Sequence, residues 1–152
     1  MGAITVVFPS KYANFVEKYS KIYGVDKNLV YAVIRCESGF DKRAKSNKNA
    51  MGLMQLTPST AKWCAHIVGV DFDEERLYDP EYNIRLGVYY ISYLFTRFET
   101  VEQVIMAYNA GEGNVKKWLN GNGKVFAETS AYLTKVKFCA KVYKLKSSAL
   151  FY

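Results

Sequence analysis

Apolar side chains in this chain recur at spacings of three and four nearly from end to end, and no stretch alternates apolar with polar long enough to make a convincing strand. The period is helical and points to one all-α domain. Helix starts are written into the sequence as well. Thr57-Pro58 and Asp79-Pro80 each set a capping oxygen before a proline at the first helical position, where a missing N–H costs nothing. Asp26 caps an apolar helix carrying Leu29, Val30, Val33 and Ile34, and Thr100 with Gln103 forms a capping box ahead of Val104, Ile105 and Tyr108. Ser10 is expected to cap a first helix through Tyr12, Phe15, Val16, Tyr19, Ile22 and Tyr23, stopped by Gly24. The Asp79 helix is predicted to be the longest, ending near Phe98, and a last helix is predicted from about Thr129 to Leu145, with Thr129 as its cap. Two polar stretches rich in Gly and Asn, 38–55 and 110–123, separate these helices. A short ribbon near 123–126 is the one sheet-like alternative.

Composition narrows what such a bundle does. With 152 residues, 50% hydrophobic and 16% aromatic, the chain can bury a core without staples and is not disordered. No apolar run approaches the roughly 20 residues of a membrane span. One His and three Cys leave little material for metal chemistry or a His-based triad, so no cofactor and no metal are expected. Cys36, Cys64 and Cys139 lack paired spacing; at most one bridge can form, the sequence does not say which, and three small buried hydrophobes is the favoured reading. The formal charge of +7 favours polyanions, or simply solubility. Residues 1–9 lack the basic start and apolar stretch of a secretory signal and read as an N-terminal extension or a cloning remnant, leaving 10–152 as the one folded domain.

Chemistry then falls to carboxylates, amides and aromatics. Glu37 ends the apolar second helix, where partial desolvation would raise its pKa and let it serve as a proton donor; the plainer alternative is a solvated helix-end glutamate. Gly52, inside the run Ala50-Met51-Gly52-Leu53-Met54-Gln55-Leu56, signals a close backbone approach or positive φ. Gln55 in the same run is a buried-leaning amide whose hydrogen bonds either a polar substrate or the loop's own backbone satisfies. Tyr108 and Asn109 close one helix, and Glu128 opens the last, where it complements the helix dipole.

Four segments in order, Glu37-Ser38-x-Phe40, Ala50-x-Gly52-Leu53-Met54-Gln55, Ala107-Tyr108-Asn109-Ala110-Gly111 and Glu128-Thr129-x-x-Tyr132, resemble the motifs of the soluble-type lytic transglycosylase (SLT domain) family, over about Tyr12 to Tyr143. The resemblance implies a lysozyme-like single domain of about seven helices around a substrate groove. It also implies non-hydrolytic cleavage of the MurNAc-β-1,4-GlcNAc bond of bacterial peptidoglycan, leaving 1,6-anhydro-MurNAc ends. On that resemblance Glu37 is the single catalytic acid, then base. Ser46 contacts the muramyl N-acetyl group, Met54 and Gln55 line the groove, Tyr108 and Asn109 orient the acid and the sugar, and Glu128 and Tyr132 complete the cleft. Asn49 stands where many relatives carry Gly, and Asn tolerates the left-handed turn that position needs.

The implied partners are glycan strands, with no nucleic acid. The implied setting is extracytoplasmic, with any membrane anchor outside this chain, and a monomer is expected. Ordinary glycosidases pair two carboxylates. One acid suffices when the nucleophile is the substrate's own 6-hydroxyl, which gains from proximity. A goose-type muramidase that adds water, and a non-catalytic wall-binding module, are the alternatives; a nucleic-acid binder is a distant fourth.

Overall fold

Seven α-helices run through the described residues, 7–149, of the computed structural model. They are α1 (Ala13–Tyr23), α2 (Lys27–Ser38), α3 (Pro58–Val68), α4 (Pro80–Arg97), α5 (Val101–Ala110), α6 (Glu112–Leu119) and α7 (Ala127–Ala149), with a 3-10 turn, Glu74–Tyr78, before α4. Four starts are set by the side chains that mark them in the sequence. Asp26 accepts from the Asn28 amide at 2.8 Å, Thr57 from Thr60, and Asp79 from Tyr82 at 2.9 Å; Thr100 and Gln103 close a reciprocal box.

Five details differ from the sequence expectation. Ser10 caps nothing: α1 begins at Ala13 behind a left-handed Tyr12, and the Ser10 hydroxyl instead accepts from Lys146 Nζ at 2.8 Å. α4 ends at Arg97 and is not the longest helix, because α7 has 23 residues against its 18. Thr129 lies within the first turn of α7 rather than capping it, and donates its hydroxyl to Asn109 Oδ1 at 2.8 Å. The polar stretch 110–123 contains α6, whose N-cap is Gly111 with no side-chain cap to announce it. Residues 123–126 form no ribbon; isolated antiparallel bridges instead join Lys45 to Met51 and Met51 to Leu56.

Burial divides into two clusters. The larger one centres on α2, where Val30, Ala32, Val33 and Ile34 are buried, and its most extensive packing is against Val136, Cys139 and Tyr143 of α7. Tyr31 and Tyr143 stack across that seam with ring centroids 5.2 Å apart. Removing these apolar groups from water is the main favourable term holding the helices together. The smaller cluster joins Met51 and Leu56 of the loop before α3 to Ala61, Cys64 and Ala65 of α3, to Leu77, and to Leu86 of α4. Tyr90 and Tyr108 pack against both clusters, so the seam between them runs along α4 and α5.

Candidate active site

The end of α2 meets the loop 44–57, and three of the four non-glycine residues of positive φ among the described residues lie there. Phe40 (φ 66°), Asn49 (φ 61°), Gly52 (φ 77°) and Gln55 (φ 51°) are all left-handed. Asn49 adopts the turn expected of it, within a loop closed by Ser46 N to Ala50 O at 2.9 Å and Asn49 N to Ser46 O at 3.0 Å. Gly52 meets both conditions that make glycine necessary: its φ is positive, and an added Cβ would lie 2.1 Å from the Leu77 carbonyl oxygen and 2.3 Å from Asn83 Nδ2.

Asn83 is fully buried in α4 and holds this loop from below. Its Oδ1 accepts from the Met54 amide at 2.8 Å, and its Nδ2 donates to Met51 O and Leu77 O, each at 2.9 Å. Ser38 ties the end of α2 to the same loop by donating to Leu53 O at 2.7 Å. Tyr108 on α5 donates to Met54 O at 2.6 Å. Three separate elements therefore fix the backbone around Met54.

Above this floor opens a cleft of about 400 Å³. Glu37, Ser46, Gln55, Tyr108, Asn109 and Glu128 all line it, so six of the eight residues expected at the site converge there from four parts of the chain. The other two are corrections. Met54 is fully buried and reaches no groove surface; its backbone is held by Asn83 and Tyr108, and its side chain packs against Gly87. Tyr132 is also buried and contributes beneath Glu37 rather than as a surface of the groove.

Glu37 is the chemically distinctive group. Burial pushes its pKa up from 4.5 to about 8. Tyr132 draws it partly back down, and the nearby Glu128 carboxylate raises it further. The Tyr132 hydroxyl is buried and makes no well-formed hydrogen bond of its own. A carboxyl in this state is protonated near neutral pH and has no cation holding its proton off.

The loop wall differs in that its polar groups are largely engaged. Gln55 Nε2 donates to Ala44 O at 3.1 Å and Gly52 O at 2.9 Å, so the loop's own backbone is what satisfies its NH₂, leaving Oε1 for the cleft. Ser46 Oγ accepts from the amides of Lys48 and Ala50, leaving its hydroxyl proton to donate. Asn109 Oδ1 is taken by Thr129, leaving Nδ2.

Sequence reasoning assigned no site role to Asn47, Lys48, Ala50 or Thr57, which also line the cleft, nor to Asn83 beneath it. Asn83 had a signal: a polar residue beside Ile84 on the apolar face of an otherwise well-marked helix. Among the described residues, no three His, Cys, Asp or Glu side chains gather as metal ligands, and no helix is long and apolar enough to cross a membrane.

Known proteins share this sequence pattern and this fold. Residues 14–130 match the model of the transglycosylase SLT domain. The soluble lytic murein transglycosylase of Escherichia coli K12 is 31% identical over 143 residues, covering 85% of this chain and 22% of that protein. Membrane-bound lytic murein transglycosylase E of Buchnera aphidicola is 32% identical over 134 residues, covering 80% of this chain and 60% of that protein. An inactive Glu-to-Gln mutant of lytic transglycosylase Slt from Pseudomonas aeruginosa superposes with a TM-score of 0.89 at 31% identity, over 96% of this chain and 26% of that one. The 70 kDa soluble lytic transglycosylase of Escherichia coli superposes at 0.88 with 27% identity, over 95% and 26%. The chain thus spans 22% to 60% of the length of these two relatives.

Proposed function

The chain belongs to the transglycosylase SLT domain family, and on that premise we propose that it is a peptidoglycan lytic transglycosylase working with one carboxyl group. Its substrate is the MurNAc-β-1,4-GlcNAc bond. Glu37, protonated because burial holds its pKa near 8, gives its proton to the glycosidic oxygen as the bond to muramyl C1 breaks. The resulting carboxylate takes the proton of the muramyl 6-hydroxyl, whose oxygen closes on C1 to form the 1,6-anhydro ring. Water is neither consumed nor released, and Glu37 ends protonated as it began.

The unengaged polar atoms of the cleft suit a sugar. Ser46 offers a hydroxyl donor for the N-acetyl carbonyl, Gln55 Oε1 an acceptor, and Asn109 Nδ2 a donor. Glu128 keeps Glu37 protonated through its charge, and Tyr132 limits that rise. Tyr108 and Met54 act by holding the floor. The partners are peptidoglycan glycan strands, not nucleic acid, and the setting is extracytoplasmic, with the domain monomeric. Relatives named as soluble and as membrane-bound enzymes support the wall as the place of action. The net positive surface favours encounter with stem-peptide carboxylates.

The observation that carries the reading is a half-buried glutamic acid of raised pKa in a cleft whose amide and hydroxyl groups each keep a hydrogen-bonding atom free. Mass spectrometry of the soluble products from purified peptidoglycan tests it, with Glu37→Gln as control. Muropeptides one water lighter than reducing-end products are expected, and none from the variant. Reducing ends of full mass would make the chain a muramidase and turn attention to Glu128 as the group that activates water. Absence of products from both proteins would leave a wall-binding module.

A further inference from the structure

The face of α2 and α7 carrying Cys36 and Cys139 holds a pair of groups the glycan chemistry does not use. Cys36, directly before Glu37 on α2, and Cys139 on α7 bring their sulfurs to 3.8 Å. They come from opposite ends of the chain, 103 residues apart, and both are free thiols. That separation is van der Waals contact, and a cystine needs about 2.05 Å, so the two sulfurs stand less than about 2 Å short of a bond. A surface pocket of about 240 Å³ is lined by both cysteines together with Phe8 and Phe138, and is flanked by Arg35 and Lys135. A reagent thus has a route to the pair, and an anionic one is met by two cations. Cys64 has neither property: it is fully buried in the other core cluster.

We propose that Cys36 and Cys139 are a disulfide-forming pair, closed by exchange with an external disulfide, which joins α2 to α7 beside the cleft glutamate. This inference is independent of the reading of Glu37. Exposure sets the order of events, since Cys36 is partly exposed and Cys139 only 4% exposed. Cys36 Sγ, as thiolate, attacks one sulfur of the external disulfide; that S–S bond breaks, and the first external thiol leaves with the electron pair and takes up a proton. Cys139 Sγ then gives up its proton and attacks Cys36 Sγ in the mixed disulfide, expelling the second external thiol. One external disulfide is reduced to two thiols while two protein thiols are oxidised to one cystine.

The pair is built as a slow staple rather than a fast sensor. Burial, and then the neighbouring Cys139, push the Cys36 thiol up to about 12, so little thiolate exists at neutral pH. Exchange should therefore quicken about tenfold per pH unit between roughly 7 and 10. Once made, the bond closes a loop of about two thirds of the chain, and long loops are where cross-links restrict the unfolded chain most.

The test uses the full chain and glutathione disulfide as the probe, followed by alkylation in denaturant. The expected product has one alkylated thiol, Cys64, and tryptic peptides 36–42 and 138–141 joined by a bond that dithiothreitol cleaves. The midpoint of thermal unfolding should rise by about 5–10 °C and fall back on reduction. Cys139→Ser should stop at a glutathione adduct on Cys36 with no such rise, whereas Cys64→Ser should respond in full. If Cys139→Ser does not fold, Cys36→Ser reads the same loss of cross-linking. Three alkylated thiols after exchange, or a cystine that includes Cys64, would overturn the proposal.

Discussion

The two walls of the cleft are built from similar residue types and treat them in opposite ways. On the loop wall, Gln55, Ser46 and the Tyr108 hydroxyl have their main hydrogen bonds filled by the protein itself, and Asn83 satisfies three backbone groups at once. On the helix wall, where α2 faces α7, Glu37 is half-buried without a charged partner and the Tyr132 hydroxyl lacks a well-formed hydrogen bond. A filled polar network fixes a shape. An unfilled one stores a perturbed proton affinity, and perturbed groups in a cleft are where chemistry concentrates. The loop wall is thus the mould and the helix wall the reactive face.

Breaking each wall should fail differently. On the reactive face, Glu37→Gln should lower glycan cleavage by about 10³-fold or more, because an amide cannot donate this proton; unchanged near-UV circular dichroism would show that the mould survives. On the other wall, Asn83→Ala should destabilise the fold by about 3–5 kcal/mol through three orphaned backbone groups, read as a lower urea midpoint. A change there that spared stability but abolished activity would reverse the assignment of the two walls.

The helix wall also makes a stability prediction with a definite sign. The folded-state pKa of Glu37 lies above its unfolded value, so its ionisation opposes folding as pH rises from about 4.5 through 8. Glu37→Gln should therefore unfold at higher temperature than wild type at pH 9, by an amount corresponding to about 2–4 kcal/mol, and the difference should vanish below about pH 4.5. Paired urea titrations at the two pH values measure it.

The smallest effects are the most discriminating. Tyr132→Phe removes the group that draws the Glu37 pKa down, and Glu128→Gln removes the charge that raises it. Cleavage by the wild type should decline above about pH 8. The two variants should move that alkaline limb in opposite directions, upward and downward, each by roughly half a unit to one unit. Shifts of the same sign would mean that neither side chain acts through Glu37.

What the sequence discloses follows from how local each feature is. Asp26, Thr57, Asp79 and Thr100 mark helix starts because a cap is a contact within three residues. α6 escapes notice because its N-cap, Gly111, offers no side chain, and the cap predicted at Ser10 fails because α1 starts at Ala13, behind a left-handed Tyr12 that no side chain caps. The motif residues of the cleft can be read one by one from the resemblance, but their division between surface and floor cannot. That Met54 sits under the groove depends on Gly87, and that Gln55 is occupied depends on Ala44. The pairing of Cys36 with Cys139, rather than with Cys64, is likewise a product of how α2 meets α7.

Met54 has one more consequence. Its thioether rests on the bare backbone of Gly87, where even a methyl group would come within 2.4 Å of the sulfur, and none of it is exposed. Peroxide can reach that sulfur only while the floor of the cleft is open, and a sulfoxide oxygen would find no room when it closed. The rate at which Met54 gains oxygen, set against the partly exposed Met106, therefore counts how often the folded protein opens at its centre. Each such event is a ratchet, for the oxidised chain cannot return to the packing that had protected it.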